Sequence, residues 1–127
     1  MYRLTVESHF DAAHALRGYQ GRCEKTHGHR FRVVAHFTAR GLDNIGLGCD
    51  FTVLKKALNE ALASFDHANL NETPPFDAVN PSSENLAATI YKLVQEAAVA
   101  LPAKLQAIEV WESPDAGVEY RPDIRLL

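Results

Sequence analysis

The chain has 127 residues, 46% of them hydrophobic and 23% charged, and thirteen Lys and Arg against sixteen Asp and Glu leave a formal net charge of −3. That length predicts one domain spanning 1–127, and the composition excludes a disordered tail, a collagen-like chain and a disulfide-packed miniprotein. The mild acidity argues against a nucleic-acid partner, which a basic face would hold by counterion release.

Along the chain, residues 2–10 alternate Tyr2, Leu4, Val6 and Ser8 with Arg3, Thr5, Glu7 and His9, which predicts a first strand. The charged residues among its apolar ones, and a longest apolar run of only five residues at 97–101, predict neither a signal peptide nor a membrane span. Residues 29–39 alternate Phe31, Val33, Ala35 and Phe37 with Arg32, Val34, His36 and Thr38, a second strand and the antiparallel partner of the first. Asp50 is placed to cap a helix whose stripe is Phe51, Leu54, Leu58, Leu62 and Phe65. The Asn- and Pro-rich stretch 66–82 predicts a long loop. Ser82 or Ser83 then caps a second helix to about Ala100, with the stripe Leu86, Ile90, Leu93, Val94 and Ala97. Strands at about 105–112 and 117–125 flank an SPDAG turn. The order ββααββ predicts an α+β fold, a four-stranded antiparallel sheet with two helices on one face. Its two strand edges then need partners, so self-association is expected.

Six histidines are unusual for this length, and three of them suggest chemistry. His27 and His29, two apart on a strand, project to the same side, and Gly28 between them permits close backbone approach. With His14 from the end of the first strand they form three imidazoles and an open position, the donor set of a catalytic zinc. A bare His-x-His pair is also satisfied by ordinary loop hydrogen bonds. Cys23 lies four residues before His27, where a nearby cation would favour its thiolate; a small buried apolar residue is the alternative, and Cys49 fits that alternative better. Asp66-His67 can be a carboxylate orienting an imidazole, or an ordinary helix end. Glu112, at the turn after the third strand, can accept two parallel hydrogen bonds from an amidine-like edge, or be a solvated turn residue. Two cysteines without a CxxC pattern favour a reducing, cytoplasmic compartment.

The segments FDAAH at 10–14, CEKTHGH at 23–29, GLGCDFTVLK at 46–55, FDHANLN at 65–71, NPSSENLA at 80–87 and VWES at 110–113 jointly span almost the whole chain. Together they resemble the 6-pyruvoyl-tetrahydropterin synthase / 6-carboxytetrahydropterin synthase family, whose protomer has the tunnelling (T-)fold. The resemblance implies zinc on His14, His27 and His29, Cys23 as catalytic base, and Asp66 and His67 as its proton relay. Glu112 would anchor the pterin ring, with Ser82, Ser83 and Glu84 as further pocket candidates. The implied substrate is 7,8-dihydroneopterin triphosphate, whose phosphates Arg22, Lys25, Lys55 or Lys56 could meet. The implied product is 6-carboxy-5,6,7,8-tetrahydropterin, on a queuosine route, because three residues separate Cys23 from His27. Glu24 in Glu-x-x-His-Gly-His leaves a second outcome: a dual-specificity enzyme that also releases 6-hydroxymethyl-7,8-dihydropterin. A 6-pyruvoyl product and a zinc- or pterin-binding module without turnover are the remaining alternatives. Phe65 before Asp-His, where the family usually has Leu, and Ser113, where it more often has Thr, are mild departures. The family also implies a homohexamer, a dimer of trimers, with each pocket built across a subunit boundary.

Overall fold

A computed structural model of the chain describes residues 1–20 and 25–122. Its elements are β1 (Tyr2–His14), β2 (His27–Ala39), α1 (Phe51–Leu62), β3 (Ala68–Asn69), α2 (Ser83–Ala97), β4 (Lys104–Ser113) and β5 (Ala116–Tyr120). They form one sheet in the order β3-β1-β2-β4-β5, antiparallel except where β3 runs parallel to β1. The ββααββ frame is therefore present, with a fifth strand that periodicity cannot detect. Two residues of the expected loop pair Ala12 with Ala68 and Ala13 with Asn69, which satisfies backbone groups at the end of β1. A 3-10 turn at Leu70–Glu72 follows.

Element ends differ from the sequence reading for local reasons. β1 continues four residues past Phe10 because Phe10, Ala12 and His14 keep the alternation and are all buried. α1 stops at Leu62, and a turn carries Phe65 onward into the core, so the apolar spacing outlives the helix. α2 ends at Ala97 and β5 at Tyr120. The expected strand tail beyond residue 122 lies outside the described residues.

Both helices begin on side-chain caps. Asp50 accepts from the Thr52 amide at 2.8 Å and its hydroxyl at 2.7 Å, and Ser82 accepts from the Asn85 amide at 3.1 Å. Leu54 and Leu58 of α1 and Leu86, Ile90 and Val94 of α2 are fully buried in one cluster with Phe31, Val33, Ala35 and Phe37 of β2, α1 packing on β1 and α2 on β4 and β5. Removing the Leu58 side chain to Ala would cost roughly 2–5 kcal/mol by the usual transfer and cavity terms.

The two faces of the sheet differ in chemistry. On the helix side, Phe10 stacks on Phe31 at 4.9 Å and meets Phe65 at 6.0 Å, and this aromatic row ends against His14. The other side carries Arg32, His36, Glu109 and Trp111 from the two central strands. There Trp111 covers Gly117 so closely that an added Cβ would come within 2.4 Å of the indole, which is why β5 has no side chain at that point.

Candidate metal centre and proton relay

Pairing of β1 with β2 sets His14 directly opposite His27 and Ala12 opposite His29, so the alternation of both strands turns all three imidazoles to the helix side. Their rings meet edge to face, with centroids 4.6 Å apart for His14 and His27, 4.7 Å for His27 and His29, and 5.2 Å for His14 and His29. One ligand atom from each, together with a Glu112 carboxylate oxygen, falls within 4.8 Å of every other. Gly28 is not needed for close approach, because a Cβ there would find only the Ala12 carbonyl, at 4.0 Å.

Hydrogen bonds fix the protons on two of the rings. A carbonyl can only accept, so Nδ1–H of His14 donates to the Pro81 carbonyl at 2.8 Å and Nδ1–H of His27 donates to the Lys25 carbonyl at 2.7 Å. In the neutral rings the lone pair is then on Nε2. Nε2 of His14 is buried without a hydrogen-bond donor, yet Glu112 Oε1 stands 3.1 Å away, and the same oxygen is 3.4 Å from Nε2 of His29. A lone pair facing a carboxylate oxygen at this distance is repulsive unless a positive charge stands between them, either the ring's own second proton or a bound metal ion. The donor set therefore fits a metal such as zinc, on an arrangement the protein itself builds. Burial, partly offset by Glu112, holds the pKa of His29 below its ordinary value, which keeps it in the neutral, ligating form.

The Asp66-His67 pair stands elsewhere. Asp66 Oδ1 accepts from the Asp11 amide at 3.0 Å, its Oδ2 lies 3.1 Å from His67 Nδ1, and the His67 amide donates to the Asp11 carbonyl at 2.6 Å. That bond from Asp11 is the main reason the Asp66 carboxyl is held below the usual range. His67 has a left-handed backbone, φ 57°, and its side chain is 79% exposed. The Asp11 carboxylate gathers with both, and Asp11 alternates to the face opposite His14. A shallow groove of about 600 Å³ runs here, lined in part by Asp11, Gly28, His29, Arg30 and His67.

The remaining candidates divide. Ser82 is engaged as the cap of α2, Ser83 is half-buried and Glu84 exposed in the first turn. Lys55 and Lys56, candidates for the phosphates, line a groove with Val6, eight residues up β1 from His14, on the order of 26 Å at strand spacing. Cys23, Glu24 and Arg22 lie outside the described residues. Cys49 is buried, and burial pushes its thiol up, away from reactivity. Sequence reasoning missed Arg17, Asn71 and Asn80, which tie the loop after β3 to the end of β1; their polar character was legible, but their partners are 54 to 63 residues away.

The sequence model of the 6-pyruvoyl tetrahydropterin synthase family matches residues 3–123. The chain belongs to that family. A 6-carboxy-5,6,7,8-tetrahydropterin synthase of Synechocystis sp. is 32% identical over 125 residues, covering 94% of this chain and 93% of the relative. A dihydroneopterin monophosphate aldolase of Pyrococcus furiosus is 33% identical over 119 residues, 92% of this chain and 95% of the relative. In architecture the chain is similar to Caenorhabditis elegans 6-pyruvoyl tetrahydropterin synthase, with a TM-score of 0.83 at 24% identity over 97% of this chain and 98% of that one. The fold is thus the T-fold of this family, and the protein is an enzyme of the tetrahydropterin synthase type.

Proposed function

We propose that the enzyme takes 7,8-dihydroneopterin triphosphate and one water, eliminates triphosphate, and breaks the C1′–C2′ bond so that the outer two carbons leave as acetaldehyde and C1′ becomes the carboxyl of 6-carboxy-5,6,7,8-tetrahydropterin, with zinc held by His14, His27 and His29. The observation that carries this reading is the buried His14 Nε2, which has no hydrogen-bond partner and stands 3.1 Å from the Glu112 carboxylate in a cluster with His27 and His29. Bound zinc supplies Lewis-acid polarisation of the substrate's side-chain oxygens, which acidifies the adjoining C–H bonds. Cys23, four residues before His27, serves as the thiolate that removes such a proton. Asp66 orients His67, which gives and takes the second proton.

Glu112 reads the pterin ring by accepting from two parallel N–H donors, which fixes the side chain towards the base. Ser83 and Glu84, at the start of α2, are further candidates for contact with the ring. Asp66 and His67 gather with Asp11, on the face of β1 opposite His14, so in this reading the working pocket pairs them with the imidazoles of another copy, in a hexamer of two stacked trimers. The free, buried Cys49 accords with a cytoplasmic setting.

The Pyrococcus furiosus relative favours a second reading, in which carbon–carbon cleavage releases 6-hydroxymethyl-7,8-dihydropterin with Glu24 as base. Chromatography of products from 7,8-dihydroneopterin triphosphate separates the two. The carboxy product from the unaltered enzyme, lost in Cys23→Ala with zinc retained, supports the first reading. A hydroxymethyl product that persists in Cys23→Ala and vanishes in Glu24→Ala establishes the second.

A further inference from the structure

The loop between β3 and α2 supplies the carbonyl that sets the His14 tautomer, and its position depends on side chains beyond the strand. After His14 the chain leaves the strand and turns at Arg17 and Gly18, and two asparagines each bond both backbone groups of a residue on this stretch. Asn71 accepts from the Ala15 amide at 2.8 Å and donates to the Ala15 carbonyl at 3.0 Å. Asn80 accepts from the Arg17 amide at 2.8 Å and donates to the Arg17 carbonyl at 3.2 Å. The Arg17 guanidinium then reaches across the loop, with Nη2 donating to the Phe76 carbonyl at 2.7 Å and approaching those of Asn71 and Asp77 at 3.3 and 3.5 Å. Its Nη1 meets the Val79 carbonyl at 3.3 Å. Pro81 follows two residues later, with its carbonyl on His14 Nδ1.

We propose that Arg17 is a positioning residue for the metal centre: by gathering the carbonyls of the 71–79 loop it holds the Pro81 carbonyl against His14 Nδ1 and so keeps the Nε2 lone pair aimed at the ion. A planar fork of five donors suits this role, since it can serve several carbonyls in a fixed geometry. A lysine offers a compact charge on a flexible stem and cannot span the same set. The carbonyls themselves carry no net charge, so the benefit is geometric, and the ligand it orients is the most buried of the three imidazoles. Groups that orient a ligating histidine through its other nitrogen typically matter 10–100-fold in metal affinity.

The proposal rests on the zinc reading for its consequence but not for its structural half, so two measurements separate them. In metal-free full-length protein, 15N NMR of the imidazoles should show His14 as a single Nδ1-protonated tautomer. Arg17→Ala should give a mixture of tautomers, and Arg17→Lys should fall between. In zinc-loaded protein, release of zinc to a chelator should be roughly 10–100-fold faster for Arg17→Ala, and the visible spectrum of the cobalt-loaded form should shift. Asn80→Ala, which removes one staple and leaves the guanidinium, provides the same readouts should Arg17→Ala fold poorly. An unchanged tautomer together with unchanged zinc release in Arg17→Lys and Asn80→Ala would overturn the proposal, even with a lower Tm. If unaltered protein binds no zinc, the metal reading fails, while the NMR comparison still decides for or against Arg17.

Discussion

His14 and His67 both belong to the same end of β1, one as its last residue and the other bonded to the Asp11 backbone, yet their surroundings are opposite. His14 is 1% exposed, packs edge-on against Phe31 and two other imidazoles, and has one nitrogen committed to Pro81. His67 has a side chain 79% exposed and two carboxylate neighbours, Asp66 and Asp11. A buried polar atom is costly unless something uses it, and the His14 side of the strand offers such an atom within a His/Glu cluster that could hold an ion. In bulk water an exposed carboxylate-imidazole pair is coupled weakly, and it gains force only when a covering surface lowers the local dielectric. In the proposed function the imidazole cluster is thus held within one chain, and the Asp66-His67 pair is covered by another copy.

Removing an imidazole should have the largest effect. His27→Ala should lower zinc from about one per chain to near none and activity by on the order of 10³-fold or more, whereas His9→Ala, on the other face of β1, should keep both. Elemental analysis beside a turnover assay checks this. Full zinc and full activity in His27→Ala would erase the difference between the two regions.

The Asp66-His67 pair is tested by mixing. Cys23→Ala and His67→Ala should each be inactive, and the two unfolded and reassembled together at equal amounts should regain about one quarter of full activity, because random neighbours then give that share of pockets both intact residues. Mixtures as inactive as their parents, or a fully active monomer by mass, would place the whole site in one chain.

What the sequence made legible follows from range. The strand alternation that turns His27 and His29 to one side, the Asp50 and Ser82 caps and the two apolar helix stripes are all local, and they appear at or near the expected residues. β3 is two residues long and has no period to detect, and the lines from Arg17 to Val79 and from His14 to Pro81 cross more than sixty residues. The opposite facing of Asp66-His67 needs the turn after α1 and the left-handed His67, neither of which a pattern of residue types encodes. Glu112 was read for its hydrogen-bonding edge, and its place beside the imidazoles comes from the pairing of β2 with β4.

Glu112 sharpens the metal half of the comparison at smaller amplitude. Its Oε1 is close enough to two imidazoles to act as a fourth donor, while the proposed function uses it on the pterin ring. Glu112→Gln keeps the shape and removes the charge. With the ring role, zinc content should hold and KM should rise by roughly 10-fold or more, the loss of a charge-assisted bond pair. Loss of zinc with KM unchanged would instead make Glu112 a ligand beside the three imidazoles.

The smallest effect is expected on the polar face that His67 shares, where one cluster is already satisfied. His36 is held by Thr5 at 3.0 Å and by Glu109, which also accepts from the Trp111 indole at 2.9 Å; Arg32 sits over that indole, and Glu119, paired with Arg3, faces Glu109 from β5. Burial works to raise the Glu109 pKa, but the bonds from His36 and Trp111 and the charges of His36 and Arg32 outweigh it, so the net direction is downward. A carboxyl lowered by folding stabilises the fold above its unfolded pKa, and that contribution is lost as pH falls through the folded value. Glu109→Gln should therefore lower Tm at pH 7 and approach the unaltered protein as pH falls below the ordinary glutamate range, with zinc content unchanged. Thermal melts across that range check the sign. A gap that stays constant with pH would mean that Glu109 acts through shape alone, and a loss of zinc would join this face to the metal centre instead of separating the two.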